Sequence, residues 1–446
     1  MLKPPHYALV VLFAVNLLNF FDRQILGAVG EQIRREWVLG DTALGALGTA
    51  FTLLYAFVGV PFGRLADRAS RKHILAAGVF IWSLLTAASG LARNFWELFA
   101  VRLGVGVGEA SCAPAAISLI GDLYKTRHRA RATSVFMLGL PIGLGLSFLI
   151  GGLVGQRWGW RAALFLAATP GLFVALAALF IHEPRRGMLE DHAVGNSRRP
   201  GSPYTLVLSI PTLWWIILSG ALHNFNMYAL GAFLASFLIR YHGVTLAQAG
   251  WISMLVYGLS GIVGLVGGGI AADALYKRRT DGRLLVATGA IAICAPFMFL
   301  SLGRPAGDVV GFSVLMGTGA GVMYAYYATV YSTIQDVVEP SLRGTAMALY
   351  FCAMYLAGAS LGPLGTGMVS DYFTANAATA AGVLDHTARS LEPFRAAGLH
   401  SAMYVIPGLA TLLALVLGAA SRTVTRDVEA LRKWSVEERS AQSARA

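Results

Sequence analysis

The stretch Gly63-Arg-Leu-Ala-Asp-Arg-Ala-Ser-Arg-Lys72 is a short basic turn between two long apolar runs. Each run has roughly 20 residues, which as a helix crosses about 30 Å of hydrocarbon. Gly63 permits close contact between helices, and Asp67 can lie at a helix N-terminus, where a negative charge is favoured. Residues 63–72 therefore predict a tight turn between two membrane helices.

The rest of the chain repeats this pattern of apolar runs separated by short polar turns. Charged residues make up 13% of the sequence and hydrophobic residues 56%, whereas soluble domains carry about 25% charged residues. This composition excludes a disordered chain and argues against a soluble enzyme. Runs of this length also differ from the short alternating strands of a membrane β-barrel. We predict an all-α membrane protein with twelve spans: 7–30, 43–66, 73–92, 95–119, 132–155, 161–181, 212–239, 249–272, 284–303, 308–334, 344–370 and 398–420.

The basic residues are concentrated on one side of this predicted bundle. The two tails and the even-numbered loops hold 24 of the 35 Lys and Arg residues, and the odd-numbered loops hold 9. By the positive-inside rule this places both termini in the cytoplasm. It also accounts for the net charge of +12 without nucleic acid as a partner. We expect a multi-pass protein of the plasma membrane, specifically of the bacterial inner membrane.

An internal repeat divides the spans into two halves. Gly63 and Asp67 end span 2, and Gly269 and Asp273 end span 8 with the same spacing. Such parallel repeats of six spans are typical of rocking transporters with a site between the halves. A polar stretch rich in Gly, Pro and Arg separates the halves. The predicted division is an N-terminal half at 1–181, a cytoplasmic linker at 182–206, a C-terminal half at 207–422 and a cytoplasmic tail at 423–446.

Four charged residues fall inside the predicted spans of the first half. They are Asp22, Arg23, Arg102 and Glu109. Each would cost about 2.5–3.5 kcal/mol at the bilayer centre if it faced lipid, so all four must face the interior. Arg102 and Glu109 are two helical turns apart and share a face. Arg23 shares its face with two amides of span 1, Asn16 and Asn19. The candidate cavity residues of the first half are Arg23, Arg102, Asn16 and Asn19. A proton- or substrate-linked cluster and a purely structural ion-pair network both fit this pattern.

The second half has no charge at the equivalent positions but carries two polar groups of neutral side chains. Span 7 contains His223 and Asn224, and span 10 contains Tyr324, Tyr327 and Tyr331 on one helical face. These side chains combine apolar surface with hydroxyl, amide or imidazole groups, as a cavity for an amphiphile requires. Helix packing and structural hydrogen bonds explain them equally well. We therefore predict them as candidate cavity residues.

No pattern in the sequence predicts catalysis, a cofactor or a metal. The three cysteines are far apart in apolar runs and form no disulfide framework or metal motif. Gly104, Gly106 and Gly108 lie within a span rather than after a strand, so they do not predict nucleotide binding. The Gly258-Leu-Ser-Gly261 stretch resembles an intramembrane serine protease motif, but no histidine is suitably spaced. We expect no catalytic, cofactor-binding or metal site.

The turn at 63–72 resembles the conserved loop between spans 2 and 3 of the major facilitator superfamily. The resemblance implies that its acid contacts the start of span 11 and latches the cytoplasmic side of the outward-facing state. Carried onto this sequence, the latch consists of Gly63, Asp67, Arg68, Arg71, Lys72 and Arg343.

Other stretches resemble the Spinster branch of that superfamily. They are Asn19-Phe-Phe-Asp-Arg23, Arg102-Leu-Gly-Val-Gly-Val-Gly-Glu-Ala-Ser111, Gly121-Asp122, Gly159-Trp-Arg161 and Arg343-Gly-Thr-Ala346. Spinster-like proteins transport lysophospholipids and sphingosine-type amphiphiles. The resemblance implies that the span 1 acid and the Arg and Glu of span 4 are proton-linked cavity residues.

Taken together, these patterns predict a proton-coupled transporter of an amphiphilic, lipid-like solute that works by alternating access. We expect Asp22 and Glu109 to exchange protons, with Arg23 and Arg102 stabilising the ionised acids. Asp22 is the main candidate, because adjacent helical residues point about 100° apart and Arg23 need not be its partner. We expect no cofactor, because the proton gradient drives transport. The expected partners are the lipid bilayer, the solute and protons, and the protein is expected to be a monomer. An alternative is a small organic-anion:cation symporter, and a remote alternative is a non-transporting membrane sensor or intramembrane enzyme.

Overall fold

The computed structural model describes residues 4–124, 126–184, 202–339 and 342–445. Within these ranges the chain consists of helices and connecting turns, with no strand. Two short helices, Pro203–Leu208 and Glu392–Phe394, precede spans 7 and 12. In the first half, span 1 is Pro4–Trp37, span 2 is Asp41–Arg68, span 3 is Arg71–Ser89, span 4 is Phe95–Glu109 with Cys112–Leu123, span 5 is Thr126–Met137 with the first part of Gly139–Leu179, and span 6 is the second part of Gly139–Leu179. In the second half, span 7 is Pro211–Tyr241, span 8 is Leu246–Ser253 through Ser260–Tyr276, span 9 is Gly282–Leu302, span 10 is Val309–Met323 with Ala325–Val337, span 11 is Arg343–Ala353 through Leu361–Ala380, and span 12 is Arg395–Met403 with Val405–Arg445.

Spans 5 and 6 are joined without a loop. In the described ranges, eleven helices are long and apolar enough to cross a membrane, and the one at Arg131–Leu179 has 49 residues. That length is about twice what a bilayer requires. Gly159, with a φ of 82° and a ψ of 166°, breaks the helix between the two spans. The break turns eleven long helices into twelve spans, so the predicted twelve-span, all-α membrane fold is confirmed.

Some helices extend well beyond the limits that the sequence suggested. Helix Val405–Arg445 continues through the predicted boundary between span 12 and the tail at residue 422. The tail has charged residues at helical spacing, so it continues the helix after the apolar run ends. The division into domains stays a prediction, because residues 185–201 of the proposed linker lie outside the described residues.

The two halves meet closely at one end of the bundle, which we call the Arg240 end. It carries the turns near residues 38–41, 242–245 and 381–391, whereas the opposite, Arg71 end carries the turns near 69–70 and 277–281. A Cβ atom on Gly27 would lie 2.3 Å from the Gly231 carbonyl oxygen, and one on Gly45 would lie 2.2 Å from that of Pro363. Only glycine allows such a backbone approach, so spans 1 and 2 pack directly on spans 7 and 11.

A buried ionic network, the Arg240 cluster (Glu31, Arg34, Asp41 and Arg240), reinforces this contact. The Arg240 guanidinium lies 2.7 Å from Glu31 and 2.8 Å from Asp41. Arg34 lies 2.9 Å from Glu31 and 2.6 Å from Glu392. Among the described residues, every ion pair between the two halves is at this end. The bundle is therefore closed at the Arg240 end.

Candidate functional site

A group of buried polar side chains lies halfway along spans 1 and 4. We call it the central cluster: Asn19, Asp22, Arg23, Arg102 and Glu109. None of these residues is more than 8% exposed. The structure thus brings together all four charged residues that the sequence singled out, and it turns them towards the interior as their cost in lipid requires.

Arg23, Asn19 and Glu109 bond to one another in a triangle. The Arg23 guanidinium donates to the Asn19 side-chain oxygen at 3.0 Å and lies 3.3 Å from Glu109 Oε2. The Asn19 amide donates to the same carboxylate oxygen at 2.9 Å. Asn19 is one helical turn before Arg23, which explains their contact. Arg23 from span 1 is therefore the counter-ion of Glu109, and Arg102, although it shares a face of span 4 with Glu109, is not.

Asp22 and Arg102 are less completely paired than Arg23 and Glu109. The Thr86 hydroxyl donates to Asp22 Oδ2 at 3.0 Å, while Arg102 donates to the backbone carbonyl of Asp22 at 3.2 Å rather than to its carboxylate. Asp22 Oδ1 and two of the three Arg102 nitrogens have no hydrogen-bond partner among the described residues. Asp22 therefore has no close counter-ion, as the sequence led us to expect, and Thr86 on span 3 is a partner that the sequence did not indicate.

Arg23 also connects the two halves at mid-membrane. Its guanidinium donates to the hydroxyl of Tyr228 at 3.2 Å and to that of Tyr355 at 3.0 Å. The ring centroids of Phe51 and Tyr55 lie 4.9 and 4.7 Å from its central carbon, within the range of cation–π attraction. Sequence reasoning missed these aromatic partners. The internal repeat was the available signal for Tyr228: Asn224-Phe225 of span 7 matches Asn19-Phe20 of span 1, and at the same offset Tyr228 is the second-half equivalent of Arg23.

A small cavity of about 40 Å³ lies between the central cluster and the Arg240 end. Arg23 and Arg102 form one wall, and side chains of spans 1, 2, 7 and 11 form the others. The cavity has room for little more than a water molecule. The cavity is therefore too small to hold an amphiphile.

The polar residues of the second half form a separate aromatic layer. The His223 ring stacks on Tyr326 with centroids 3.9 Å apart and meets the edge of Tyr327 at 4.8 Å. The Tyr327 hydroxyl lies 3.5 Å from the Asn224 side-chain oxygen, and the Tyr327 ring contacts Tyr331 at 5.7 Å. Both ring nitrogens of His223 lack a partner among the described residues. The predicted group therefore comes together and includes Tyr326, which lies outside the predicted stripe.

One predicted cavity residue lies outside these clusters and another lies at the edge of the aromatic layer. The Asn16 amide donates to the backbone carbonyl of Phe136 at 2.7 Å, which holds span 1 against span 5. The Tyr324 ring lies 6.0 Å from that of Tyr327, packs edge-on against Tyr257 at 6.1 Å and fills the space beside Gly261. Their roles in this structure are packing contacts between helices. The periodicity of a helix predicted their face but not the neighbour that this face meets.

At the Arg71 end, the following contacts of the predicted latch residues each stay within one half of the described chain. The buried Arg71 guanidinium pairs with Asp122 and with Glu183, at 3.0 Å from the latter. The Lys72 amide is 3.5 Å from Glu183, and Arg343 donates to the Gln335 carbonyl at 2.9 Å. The side chains of Asp67 and Arg68 and the surroundings of Gly63 lie outside what the structure describes, so the contact of Asp67 with span 11 stays a prediction.

Glu183 caps the start of span 3. Its carboxylate accepts hydrogen bonds from the Ser70 hydroxyl at 2.5 Å and from the Arg71 backbone N–H at 2.8 Å. Burial raises the pKa of Glu183, but these hydrogen bonds outweigh burial and hold the pKa below its ordinary value. The Glu183 carboxylate thus links the end of span 6 to the turn at 63–72.

The fold and the buried charges between its halves are those of a polytopic membrane transporter. Residues 12–363 match the Major Facilitator Superfamily. The chain is 32% identical over 410 residues to protein spinster homolog 1 of Homo sapiens, covering 84% of this chain and 75% of that one. It is 27% identical over 397 residues to the sphingosine-1-phosphate transporter of Danio rerio, covering 84% and 78%.

A solved structure shows the same arrangement of helices. It is the crystal structure of a bacterial homologue of the human lysosomal transporter Spinster, in an inward-facing and unoccupied conformation. The TM-score is 0.85 at 26% identity, over 96% of this chain and 99% of the other. The protein is a multi-pass membrane transporter of the Major Facilitator Superfamily. Within that superfamily it belongs to the Spinster family, which is a family of transporters and not of enzymes.

Proposed function

We propose that this protein is a proton-coupled secondary transporter of an amphiphilic solute of the lysophospholipid or sphingoid type. The observation that carries the proposal is Arg23, a buried cation that bonds to Glu109 in one half and to Tyr228 and Tyr355 in the other. A charge held by both halves changes its partners when they tilt. Transport by alternating access requires such a group at the interface.

Proton coupling is assigned to Asp22 and Glu109. Asp22 has the Thr86 hydroxyl as its described side-chain partner and no counter-ion within ion-pair distance. Protonation of Asp22 therefore breaks no ion pair, whereas protonation of Glu109 removes its bond to Arg23. We infer that Asp22 is the main proton carrier. Glu109 takes up a proton once solute binding or tilting of the halves has separated it from Arg23.

The solute class follows from the contrast between the halves. The first half offers Arg23 and Arg102 for an anionic headgroup, and the second offers the aromatic layer around His223 for an apolar chain. The relative from Danio rerio is named a sphingosine-1-phosphate transporter, and this solute has both features. The arginines alone also suit a small organic-anion:cation symporter. A hydrophilic anion needs polar groups on both sides of the cavity, and the aromatic second half favours the amphiphile.

The orientation is proposed from the distribution of Lys and Arg. Both termini and the Arg71 end face the cytoplasm of a bacterial inner membrane, and the Arg240 end faces outwards. The closed Arg240 end then makes the described conformation inward-facing, like the solved homologue. In the outward-facing state, Asp67 and its neighbours latch the Arg71 end against span 11. The protein acts as a monomer, with the proton gradient in place of a cofactor and with no role in nucleic-acid binding.

Transport in proteoliposomes tests the proposal. The wild type should exchange lysophospholipids or sphingoid bases faster than dicarboxylates, and a pH gradient should accelerate uptake. Faster exchange of dicarboxylates would identify the organic-anion symporter. Absence of exchange for every solute would contradict transport altogether.

Asp22→Asn tests the assignment of the proton carrier, because the amide mimics the protonated acid. We expect it to abolish solute-induced proton flux while solute affinity stays near the wild-type value. Asp385→Asn, an exposed acid near the Arg240 end, is the matched control and should leave flux unchanged. Proton flux near the wild-type rate in Asp22→Asn would show that Asp22 is not the carrier.

A further inference from the structure

The end of span 11 repeats the sequence pattern of the turn at 63–72. Gly367-Met-Val-Ser-Asp371 has the same Gly-x-x-x-Asp spacing as Gly63-Arg-Leu-Ala-Asp67. The first pattern lies in the last part of span 11 at the Arg240 end, where the helix continues to Ala380, and the second lies at the end of span 2 at the Arg71 end. The two patterns therefore occupy opposite ends of the molecule and belong to different halves.

Asp371 caps a helix of the other half. Its two carboxylate oxygens accept hydrogen bonds from the backbone N–H groups of Asp41 at 2.9 Å and Thr42 at 2.8 Å, the first residues of span 2. The N–H groups in the first turn of a helix have no partner within the helix and carry partial positive charge. A carboxylate at this position stabilises the helix start, and here it also joins the two halves.

The glycine of the pattern makes this contact possible. A Cβ atom on Gly367 would lie 2.3 Å from the Asp41 carbonyl oxygen, and one on Gly40 would lie 2.8 Å from the Asp371 carboxylate. The Ser370 hydroxyl donates to the Asp41 side chain at 2.6 Å. Spans 11 and 2 therefore meet backbone to backbone, with the acid placed over the helix start.

A buried arginine holds Asp371 in position. Arg395, at the start of span 12, lies 3.2 Å from the Asp371 carboxylate and is 4% exposed in its side chain. Arg395 also lies 3.2 Å from Glu392, which pairs with Arg34 of span 1. The Asp371 carboxylate is thus held by a residue of its own half as well as by span 2.

We propose that Gly367 and Asp371 form a second latch, which holds the Arg240 end closed. The first latch is the predicted docking of Asp67, at the end of span 2, on the start of span 11. The second latch reverses these roles, since the end of span 11 docks on the start of span 2. Alternating access requires that the two ends are never open together, so each latch holds its own end closed while the other end opens. This inference rests on the alternating-access part of the proposed function.

Distance measurements between spin labels test the second latch in the full-length protein. Labels at exposed positions 91 and 384 report on opening of the Arg240 end, and labels at 128 and 278 report on the Arg71 end. The exposed Cys352 is first replaced by Ser in every variant. We expect Asp371→Asn to raise the ratio of open to closed Arg240 ends by roughly 5- to 30-fold, the effect of one partly buried charge at a helix end.

Further variants separate the latch from a general loss of stability. Gly367→Leu should open the same end because its side chain cannot fit against Asp41. Asp67→Asn should shift the population the opposite way, and the double variant should return towards the wild type. Asp385→Asn, in the nearby turn, should have no effect. If Asp371→Asn does not fold, Asp371→Ser retains a capping oxygen without the charge and should give the same shift.

These measurements distinguish failure of the second latch from failure of alternating access. Distance distributions that do not change in Asp371→Asn or Gly367→Leu, in a protein that does open under other conditions, would overturn the second latch alone. A wild-type protein whose two ends never open in alternation, with or without solute and a pH gradient, would overturn alternating access and the latch with it.

Discussion

The Arg240 cluster and the central cluster are both buried networks of acids and arginines, but they differ in how completely they are paired. In the Arg240 cluster, every buried side-chain nitrogen and oxygen of Glu31, Arg34, Asp41 and Arg240 has a hydrogen-bond partner. In the central cluster, atoms of Asp22, Arg23, Arg102 and Glu109 have none among the described residues. A fully paired network holds one arrangement, whereas an incompletely paired one can accept a proton or a solute group at small cost.

The largest effect is expected when the central cluster loses Glu109. Glu109→Gln leaves Arg23 buried without its counter-ion, and breaking a buried pair in this way costs about 3–5 kcal/mol. We therefore expect a marked fall in thermal stability together with loss of both solute binding and transport. Thermal unfolding and counterflow of the purified protein measure these effects.

Glu97→Gln is the control for this variant, since Glu97 lies in the same span but is exposed. It should leave transport intact. Stability close to the wild type in Glu109→Gln would indicate that Arg23 finds another partner, and that the central cluster is less dependent on this pair than the geometry suggests.

The Arg240 cluster should respond differently when one of its members is removed. Arg240→Gln removes the counter-ion of Asp41 but leaves Glu31 paired with Arg34. We expect a cost of about 3 kcal/mol, the lower end for a broken buried pair, and this cost falls on the closed state only. The labels at positions 91 and 384 should then report a predominantly open Arg240 end, while solute binding at the central cluster persists.

Arg304→Gln serves as the comparison for Arg240→Gln. Arg304 is at the same end and pairs with Asp308 within one loop, half-exposed, so its loss should not open the bundle. An Arg240 end that stays closed in Arg240→Gln would mean that the backbone contacts of Gly27 and Gly45 suffice without the ionic network.

A smaller effect is expected from the hydroxyl of Tyr228. Tyr228→Phe keeps the ring but removes the hydrogen bond from Arg23, and bonds to charged groups contribute about 1.5–3 kcal/mol. Because this bond joins the halves, we expect a moderate loss of thermal stability and weaker binding of anionic solutes. Tyr372→Phe, an exposed tyrosine, should be neutral in both assays. Equal behaviour of the two variants would show that Tyr355 alone can hold Arg23.

The smallest effect is expected when Glu183 is replaced, and it should depend on pH. Its pKa is lowered in the folded protein, so its stabilising contribution is present above the ordinary pKa of a glutamate and disappears as the pH falls through the folded value. Glu183→Gln should lower stability by about 0.5–1 kcal/mol at neutral pH, as for a partly exposed helix cap. The difference from the wild type should shrink in thermal unfolding curves as the pH is lowered below the ordinary pKa of a glutamate. Glu429→Gln, which changes an exposed acid of span 12, is the matched control.

The sequence predicts the elements of this structure better than their partners. Twelve apolar runs define the spans, and the cost of a charge in lipid places Asp22 and Glu109 inside the bundle. The one-turn spacing of Asn19 and Arg23 also predicts their contact. The pairing of Glu109 with Arg23 depends on the angle and height at which spans 1 and 4 cross. Helical periodicity within one span carries no information about either quantity.

The contacts that the first half makes with residues of the second half could not be predicted from the sequence. Tyr355 contacts Arg23 across more than three hundred residues of chain. The Arg240 cluster draws on spans 1, 2 and 7, and its members look like ordinary polar residues near helix ends. Such contacts form only once the halves close on each other, so they belong to one conformation rather than to a local pattern.

The contact between Arg23 and Tyr228 joins two positions that the internal repeat makes equivalent. A guanidinium nitrogen of Arg23 lies 3.2 Å from the Tyr228 hydroxyl oxygen. In a chain with identical halves the same residue would stand at both positions. Two arginines would repel each other, and two tyrosines would bring no charge. The mid-membrane link therefore exists only in a molecule whose halves have become different. Departure from symmetry at this single pair of positions gives the first half the charge and the second half the group that receives it.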